Sequence, residues 1–327
     1  MGGSQPPGLD GVLVVAKPIG PTSHDIVALV RRLSGTRRVG HGGTLDPFAS
    51  GVLPVFLGRA TRLVEYHMTD RKAYRATVCF GASSTTDDLE GELTPADGPA
   101  PSRDAVEVAL AAFRGAIVQV PPAYSAVKVA GRRAYALARA GKTPELAPRT
   151  VTVDRLELVE WDGSDPGRPV TVVEVGCSAG TYVRSIARDL GVALGSAAYL
   201  GALERTASGP YTSADAVRLD DLREAGRDGI AARLLPEDAG LESLPVVELG
   251  AEDVVAIGRG QRIRDPRASG DAPDVGGTEG DLVRLRAGDA TLVAIGRRHD
   301  GRIDPVKVLR PAPGTRRDDR GDDRDGR

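Results

Sequence analysis

The apolar positions of this chain fall into two patterns, short unbroken runs and runs with a period near 3.6 residues. Gly11–Ala16 is unbroken and stops at Lys17-Pro18, which predicts a buried strand. Thr22 followed by Asp25 has the form of a capping box, with Asp in place of Glu. Ile26, Val27, Leu29, Val30 and Leu33 then predict a helix that stops near Gly35. Val52–Leu57 predicts a second strand and Arg59–Met68 a short helix. Lys72–Gly81 alternates and predicts a strand with Tyr74 near its start. Ser83–Gly91 is polar and acidic and reads as a loop, and Pro95–Pro101 as a turn region. Arg103–Phe113 has helical period. Val118–Pro122 leads into a predicted strand at Tyr124–Val129, a helix at Arg132–Ala140, and strands at Val151–Val159 and Val170–Cys177.

Val183, Ile186, Ala187 and Leu190 share one helical face, with Thr181 as the expected cap and Gly191 as the expected stop. Arg184 falls in the first turn, where a cation opposes the helix dipole. It is either an exposed arginine tolerated at small cost or one with a carboxylate partner. A strand at Ala198–Ala207 and an acidic helical stretch to about Asp238 follow. Short β-like runs at Val246–Leu249, Leu282–Leu285, Thr291–Ile295 and Val306–Leu309 predict a small β-rich unit, interrupted by a Gly/Pro/Asp-rich loop at Asp265–Gly280. The expected divisions are a flexible N-terminus at 1–8, a large domain at 9–240, the β-rich unit at 244–310 and a disordered charged tail at 311–327.

Composition narrows the class. Of 327 residues, 41% are hydrophobic and 27% charged, which suits a soluble protein with a real core. No apolar run approaches the length of a membrane span, and the first ten residues lack the regions of a signal peptide. Cys79 and Cys177 sit in apolar runs and read as reduced thiols of a cytoplasmic protein. Histidines 24, 41, 67 and 299 are scattered, so no metal is expected. Residues 1–150 carry 18 Lys and Arg against 13 Asp and Glu, and the remainder 25 against 32. The basic clusters Arg31-Arg32, Arg37-Arg38, Arg71-Lys72 and Arg132-Arg133 hint at a phosphate-rich partner. On charge alone, a solvated arginine-rich surface is favoured.

One stretch carries candidate chemistry. Two glycines precede Asp46, and Pro47 biases it away from helix, so a shaped loop presents a single carboxylate ahead of the apolar run Val52–Leu57. In isolation this reads as a turn.

The full stretch, Gly40-His-Gly-Gly-Thr-Leu-Asp46-Pro-Phe-Ala-Ser-Gly-Val-Leu-Pro54, resembles the central motif of bacterial tRNA pseudouridine-55 synthases of the TruB type. Further stretches agree in order: Lys17-Pro-Ile-Gly-Pro-Thr-Ser23, Lys72-Ala-Tyr-Arg75 with Ser84-Thr-Thr-Asp-Asp-Leu-Glu-Gly91, Pro121-Pro-Ala-Tyr-Ser-Ala-Val-Lys128, and Gly180-Thr-Tyr-Val-Arg-Ser-Ile186. The resemblance covers residues 9 to about 210. Leu244–Arg310 looks like a shortened RNA-binding domain of the PUA kind.

The resemblance implies an α+β catalytic domain on a mixed, largely antiparallel sheet, with no cofactor and no metal. It implies isomerisation of the T-loop uridine of tRNA by base flipping, glycosidic cleavage and C5 reattachment, with an accompanying tRNA-folding role. It implies a monomer that needs no membrane, guide RNA or protein partner. Asp46 matches the catalytic aspartate, which could attack C1′, attack C6 or take the 2′ proton. A lone carboxylate distinguishes such a site from the paired carboxyls of a hydrolytic glycosidase. Arg184 matches its arginine partner, expected to keep the carboxylate ionised. Tyr74 matches a tyrosine that stacks on the base and could help remove the C5 proton. Tyr182 and Leu203 align with the uracil pocket, although Leu203 fits a core position nearly as well. His41, Gly42, Gly43 and Thr44 align with the nucleotide-binding loop. Lys17 aligns with a basic residue near the pocket, where a phosphate or a structural contact is equally consistent. The alternatives are an RNA chaperone without essential catalysis and a pseudouridine synthase for another RNA.

Overall fold

The first apolar run is strand β1 (Gly11–Lys17), and Thr22 caps helix α1 (Ser23–Ser34) through the capping box read from the sequence. The computed structural model describes residues 8–125, 127–129, 131–142, 145–269 and 280–312. The N-terminal segment before Gly8, most of the 265–280 loop and the tail beyond 312 lie outside the described residues.

Strands β2 (Val39–His41) and β3 (Ser50–Leu57) flank the Asp46 loop. A 3-10 turn leads to α2 (Val64–His67), and the alternating run becomes β4 (Lys72–Phe80). The hairpin β5 (Ala82–Ser84) and β6 (Leu93–Pro95) encloses the acidic loop. Next come α3 (Arg103–Leu110), β7 (Gly115–Gln119), the short pair β8 (Lys128–Val129) and β9 (Arg132–Arg133), and α4 (Ala134–Arg139). Then follow β10 (Arg149–Asp162), β11 (Val170–Cys177), α5 (Val183–Ala193), β12 (Ala198–Ser208), β13 (Tyr211–Thr212), β14 (Val217–Arg218) and α6 (Leu219–Ala231).

Ten of these strands form one sheet in the order β14-β1-β3-β12-β4-β11-β10-β7, with β2 on β3 and β13 on β12. The β1–β14 and β3–β12 pairs are parallel and the other pairs antiparallel, so the sheet is mixed and largely antiparallel, in an α+β fold. Alternation in β4 buries Ala76, Val78 and Phe80, which share a core with Val173, Val175, Ile186 and Leu190. Helix α5 packs on β12 and β4, the strands that later carry site residues.

Three expectations need correction. The strand expected at Tyr124–Val129 falls earlier, at β7, because Pro121 and Pro122 lack backbone donors and end the pairing with β10. Among the described residues of the expected run, Lys128 and Val129 pair, with β9. Thr181 does not cap α5. Its hydroxyl donates to Ser178 O at 2.9 Å, and Tyr182 is the N-cap, with its N–H on Gln119 Oε1 at 2.8 Å. Gly191 does not end α5. A side chain there would lie 2.3 Å from the Ala198 nitrogen, so the residue is small because β12 passes close.

The described residues form two compact units, 8–58 with 64–234, and 59–63 with 235–312. In the second, β15 (Val246–Leu249), α7 (Ala251–Gly258), β16 (Ile263–Arg264), β17 (Leu282–Ala287), β18 (Leu292–His299) and β19 (Arg302–Val308) form a five-stranded sheet ordered β15-β17-β18-β19-β16. This is a small β-rich PUA-like fold over Val247, Ile257, Val283, Leu285 and Ile303. The β-like pattern of this region does not announce α7.

Candidate active site

The Asp46 loop is fastened by the last residue of β1 and the segment that follows it. Lys17, only 1% exposed, donates through Nζ to the carbonyls of Pro18 (3.0 Å), Pro47 (3.4 Å) and Ala49 (2.5 Å). Gly20 N–H donates to Pro47 O at 2.8 Å. The Ser23 hydroxyl accepts from Leu45 N–H at 2.9 Å and donates to Leu45 O at 3.1 Å. Gly43 takes φ 126°, a conformation that side chains disfavour. The stretch Lys17–Ser23 thus shapes the loop that presents the carboxylate.

Helix α5 brings Arg184 to the same place. Its guanidinium is buried, and both terminal nitrogens are engaged. Nη2 pairs with Asp46 Oδ2 at 3.0 Å and donates to Tyr124 O at 2.9 Å. Nη1 pairs with Asp88 Oδ2 and donates to Thr86 O, both at 3.1 Å. One turn later Arg188 pairs with Asp87 at 2.8 Å and donates to Val120 O at 3.0 Å. Two arginines therefore latch the loop between β5 and β6 onto α5.

The ion pair expected from the sequence is present, but Arg184 serves two carboxylates rather than one. Burial pushes the Asp46 pKa above the ordinary carboxylate value. Arg184 pulls it down, Asp88 pushes it up, and Lys17 pulls it down. The net direction is upward, so the guanidinium limits the rise and does not hold the carboxyl at or below its usual range.

Asp46 lines a cavity of about 420 Å³, together with Thr44, Tyr74, Asp88, Tyr182, Arg184 and Leu203. Arg133, Arg139 and Tyr135 line its basic side. Tyr74 sits opposite Arg205 across the β4–β12 pair; burial pushes its pKa up, and the Arg205 cation opposes the rise. The Tyr182 ring lies under the Arg149 guanidinium, 4.6 Å from the ring centroid. Leu203 belongs to the core and to the lining at once.

Lys17, His41, Gly42 and Gly43 are not in the lining. Lys17 makes the structural contact rather than an open one; burial lowers its pKa to about 8 against an opposing pull from Asp46. A side chain at Gly42 would meet the Phe56 ring at 2.9 Å. His41 Nδ1 accepts from Gly43 N–H at 3.3 Å, and its ring meets His24 edge-on at 5.4 Å. Burial, with smaller contributions from His24 and Arg205, lowers the His41 pKa to about 4, so the ring is neutral at pH 7.

Three participants escape sequence reasoning: Asp88, Arg149 and Arg205. Asp88 sits in the quoted Ser84–Gly91 stretch, which signals importance but not a role. Arg205 is in phase with Leu203 on β12, a charge at an inward strand position. Among the described residues, no group of three His, Cys, Asp or Glu could hold a metal ion.

Residues 31–183 match the TruB family pseudouridylate synthase (N terminal domain), and residues 184–242 the tRNA pseudouridylate synthase B C-terminal domain. The chain belongs to the TruB family of pseudouridylate synthases. It is 45% identical over 307 residues to tRNA pseudouridine synthase B of Thermobifida fusca, covering 92% of this chain and 98% of that one. It is 41% identical over 305 residues to tRNA pseudouridine synthase B of Bradyrhizobium diazoefficiens, covering 91% and 85%. A chain of a Cbf5-Nop10-Gar1 complex superposes with TM-score 0.68 at 28% identity, covering 92% and 85%. A chain of an H/ACA RNP bound to a substrate RNA containing 2′-deoxyuridine superposes with TM-score 0.67 at 27% identity, again covering 92% and 85%.

Proposed function

We propose that this chain isomerises the uridine at position 55 in the T-loop of tRNA to pseudouridine. The observation that carries the reading is the Asp46–Arg184 pair at 3.0 Å on the wall of a cavity that Tyr74 also lines. A T-loop uridine must leave its stack to reach that cavity, at a cost of a few kcal/mol. Tyr74 and Tyr182 offer ring faces to the flipped base and Leu203 an apolar wall. Asp46 starts the reaction as the carboxylate, whether at C1′, at C6 or on the 2′ proton. Arg184 orients it and balances its charge. The base turns after the N1–C1′ bond breaks, C5 joins C1′, and the C5 proton leaves.

Arg133, Arg139 and Arg149 attract the RNA backbone, with salt-dependent strength. Behind the wall, Lys17, His41, Gly42 and Gly43 act on the substrate through the shape of the loop. The catalytic domain spans 9–240 and a PUA-like RNA-binding domain spans 244–310. The enzyme works as a cytoplasmic monomer without cofactor or metal, and a tRNA-folding role accompanies catalysis. No helix among the described residues is long and apolar enough to cross a membrane.

Release of tritium from a T-stem-loop transcript carrying 5-tritiated uridine tests the reading. Wild type releases label and Asp46→Asn does not. A folded, RNA-binding wild type without release favours the chaperone reading. Likeness to a chain of an H/ACA RNP bound to substrate RNA favours, as a second reading, an enzyme for another RNA. Activity of the purified chain alone on the T-stem-loop excludes a required guide.

A further inference from the structure

Resting on that reading, we propose that Arg205 is a positioning residue of the reaction, clamping the Tyr74 phenol and the Asp46 loop into one geometry. Arg205 is 1% exposed, and no carboxylate among the described residues pairs with it. Buried guanidinium groups are ordinarily paired, because an unpaired charge is costly to remove from water. Here the hydrogen-bond partners are three carbonyls. Nε donates to Val52 O at 2.7 Å, Nη2 to Gly43 O at 3.1 Å and Nη1 to Thr44 O at 3.5 Å, and Tyr74 is its partner across the β12–β4 pair.

The topology explains the convergence. β12 lies between β3 and β4, and Arg205 sits opposite Tyr74 on β4 and beside Gly51 on β3. Gly51 has φ 108°, and a Cβ there would fall 2.2 Å from the Arg205 carbonyl oxygen, so the strands approach as closely as backbone allows. From this point the guanidinium reaches the carbonyls that lead into the Asp46 loop and one that follows it. Across the β12–β4 pair it stands opposite Tyr74, whose hydroxyl belongs to the aromatic ring lining the same cavity. The cation also favours any negative charge that develops on that hydroxyl. A lysine keeps the charge but lacks the planar fork needed to serve all three carbonyls.

The test is a mutant cycle read by tritium release from the T-stem-loop RNA, with Arg205→Lys, Arg205→Met, Tyr74→Phe and the two double variants. Both Arg205 variants should lose about 10- to 100-fold in kcat with KM changed by no more than about twofold, as expected for misplaced groups. The Tyr74→Phe penalty should shrink at least about fivefold once Arg205 is replaced, because the two act as a unit. A Tyr74→Phe penalty that is undiminished, or absent in every background, overturns the proposal. So does a change confined to KM. Should Arg205→Met fail to fold, as judged by thermal unfolding, the Arg205→Lys cycle decides alone. A wild type that releases no label defeats the functional reading beneath. An active wild type, an inactive Asp46→Asn and a fully active Arg205→Lys defeat this inference only.

Discussion

Arg184 stands between two carboxylates, 3.0 Å from Asp46 on one side and 3.1 Å from Asp88 on the other. The two acids differ in access, with 35% of the Asp46 side chain exposed and 4% of the Asp88 side chain. Asp88 is the fixed anchor and Asp46 the reachable group. Both acids line the cavity, so the shared guanidinium is oriented by the buried one while the more exposed one stays open to a substrate.

The two neighbours of Asp46 should shift its titration in opposite senses. Asp88 raises the Asp46 pKa, so Asp88→Asn should move the acid limb of the rate profile to lower pH. Arg184 lowers it, so Arg184→Met should move the limb to higher pH. Turnover should fall about 10- to 100-fold for Asp88→Asn through lost orientation, and about 10²- to 10³-fold for Arg184→Met through lost charge stabilisation. Arg184→Met should still fold, at a cost of about 3–5 kcal/mol for breaking a buried pair. Single-turnover tritium release across pH checks both, and shifts in the same direction would contradict the network.

Lys17→Met should leave the carbonyls of Pro18, Pro47 and Ala49 without their donor, destabilising the fold by about 1–3 kcal/mol. The sign of its pH dependence follows from the depressed pKa. Between about 8 and the ordinary 10.5 the unfolded chain binds more protons at this lysine than the folded chain. Its contribution to stability therefore rises with pH across that window. Urea unfolding of wild type and variant from pH 7.5 to 10 should show the difference in favour of wild type growing.

Gly51→Ala places a methyl against the Arg205 backbone at a positive φ. The expected loss is about 3–5 kcal/mol, combining backbone strain with a clash that flexible side chains cannot relieve. Thermal unfolding checks it, and a neutral result would mean that β3 and β12 are not so close.

Arg133→Ala and Arg139→Ala should each weaken T-stem-loop binding and reduce the slope of log affinity against log salt by about one. Binding titrations from about 50 to 200 mM salt, a range over which phosphate contacts are strongly attenuated, provide the measurement.

Periodicity located α1, β4, β11 and β12, because each buries one face, and the unbroken apolar run located β3, which is buried on both. It misplaced the strand around Pro121-Pro122, since the decisive fact was which residues could pair with β10. Asp46 and Arg184 were legible as a loop carboxylate and an ill-placed helical cation. Asp88 and Arg205 were not, because their roles depend on the β5–β6 loop docking against α5 and on β12 inserting between β3 and β4. No spacing within the chain encodes those meetings.

The most direct measurement is a structure of the chain with a T-stem-loop RNA carrying 5-fluorouridine at position 55. The flipped base should lie in the cavity against Tyr74, with its sugar carbon beside the Asp46 carboxylate and Arg184 still paired. A base left stacked in the loop, or seated away from Asp46, would contradict the account.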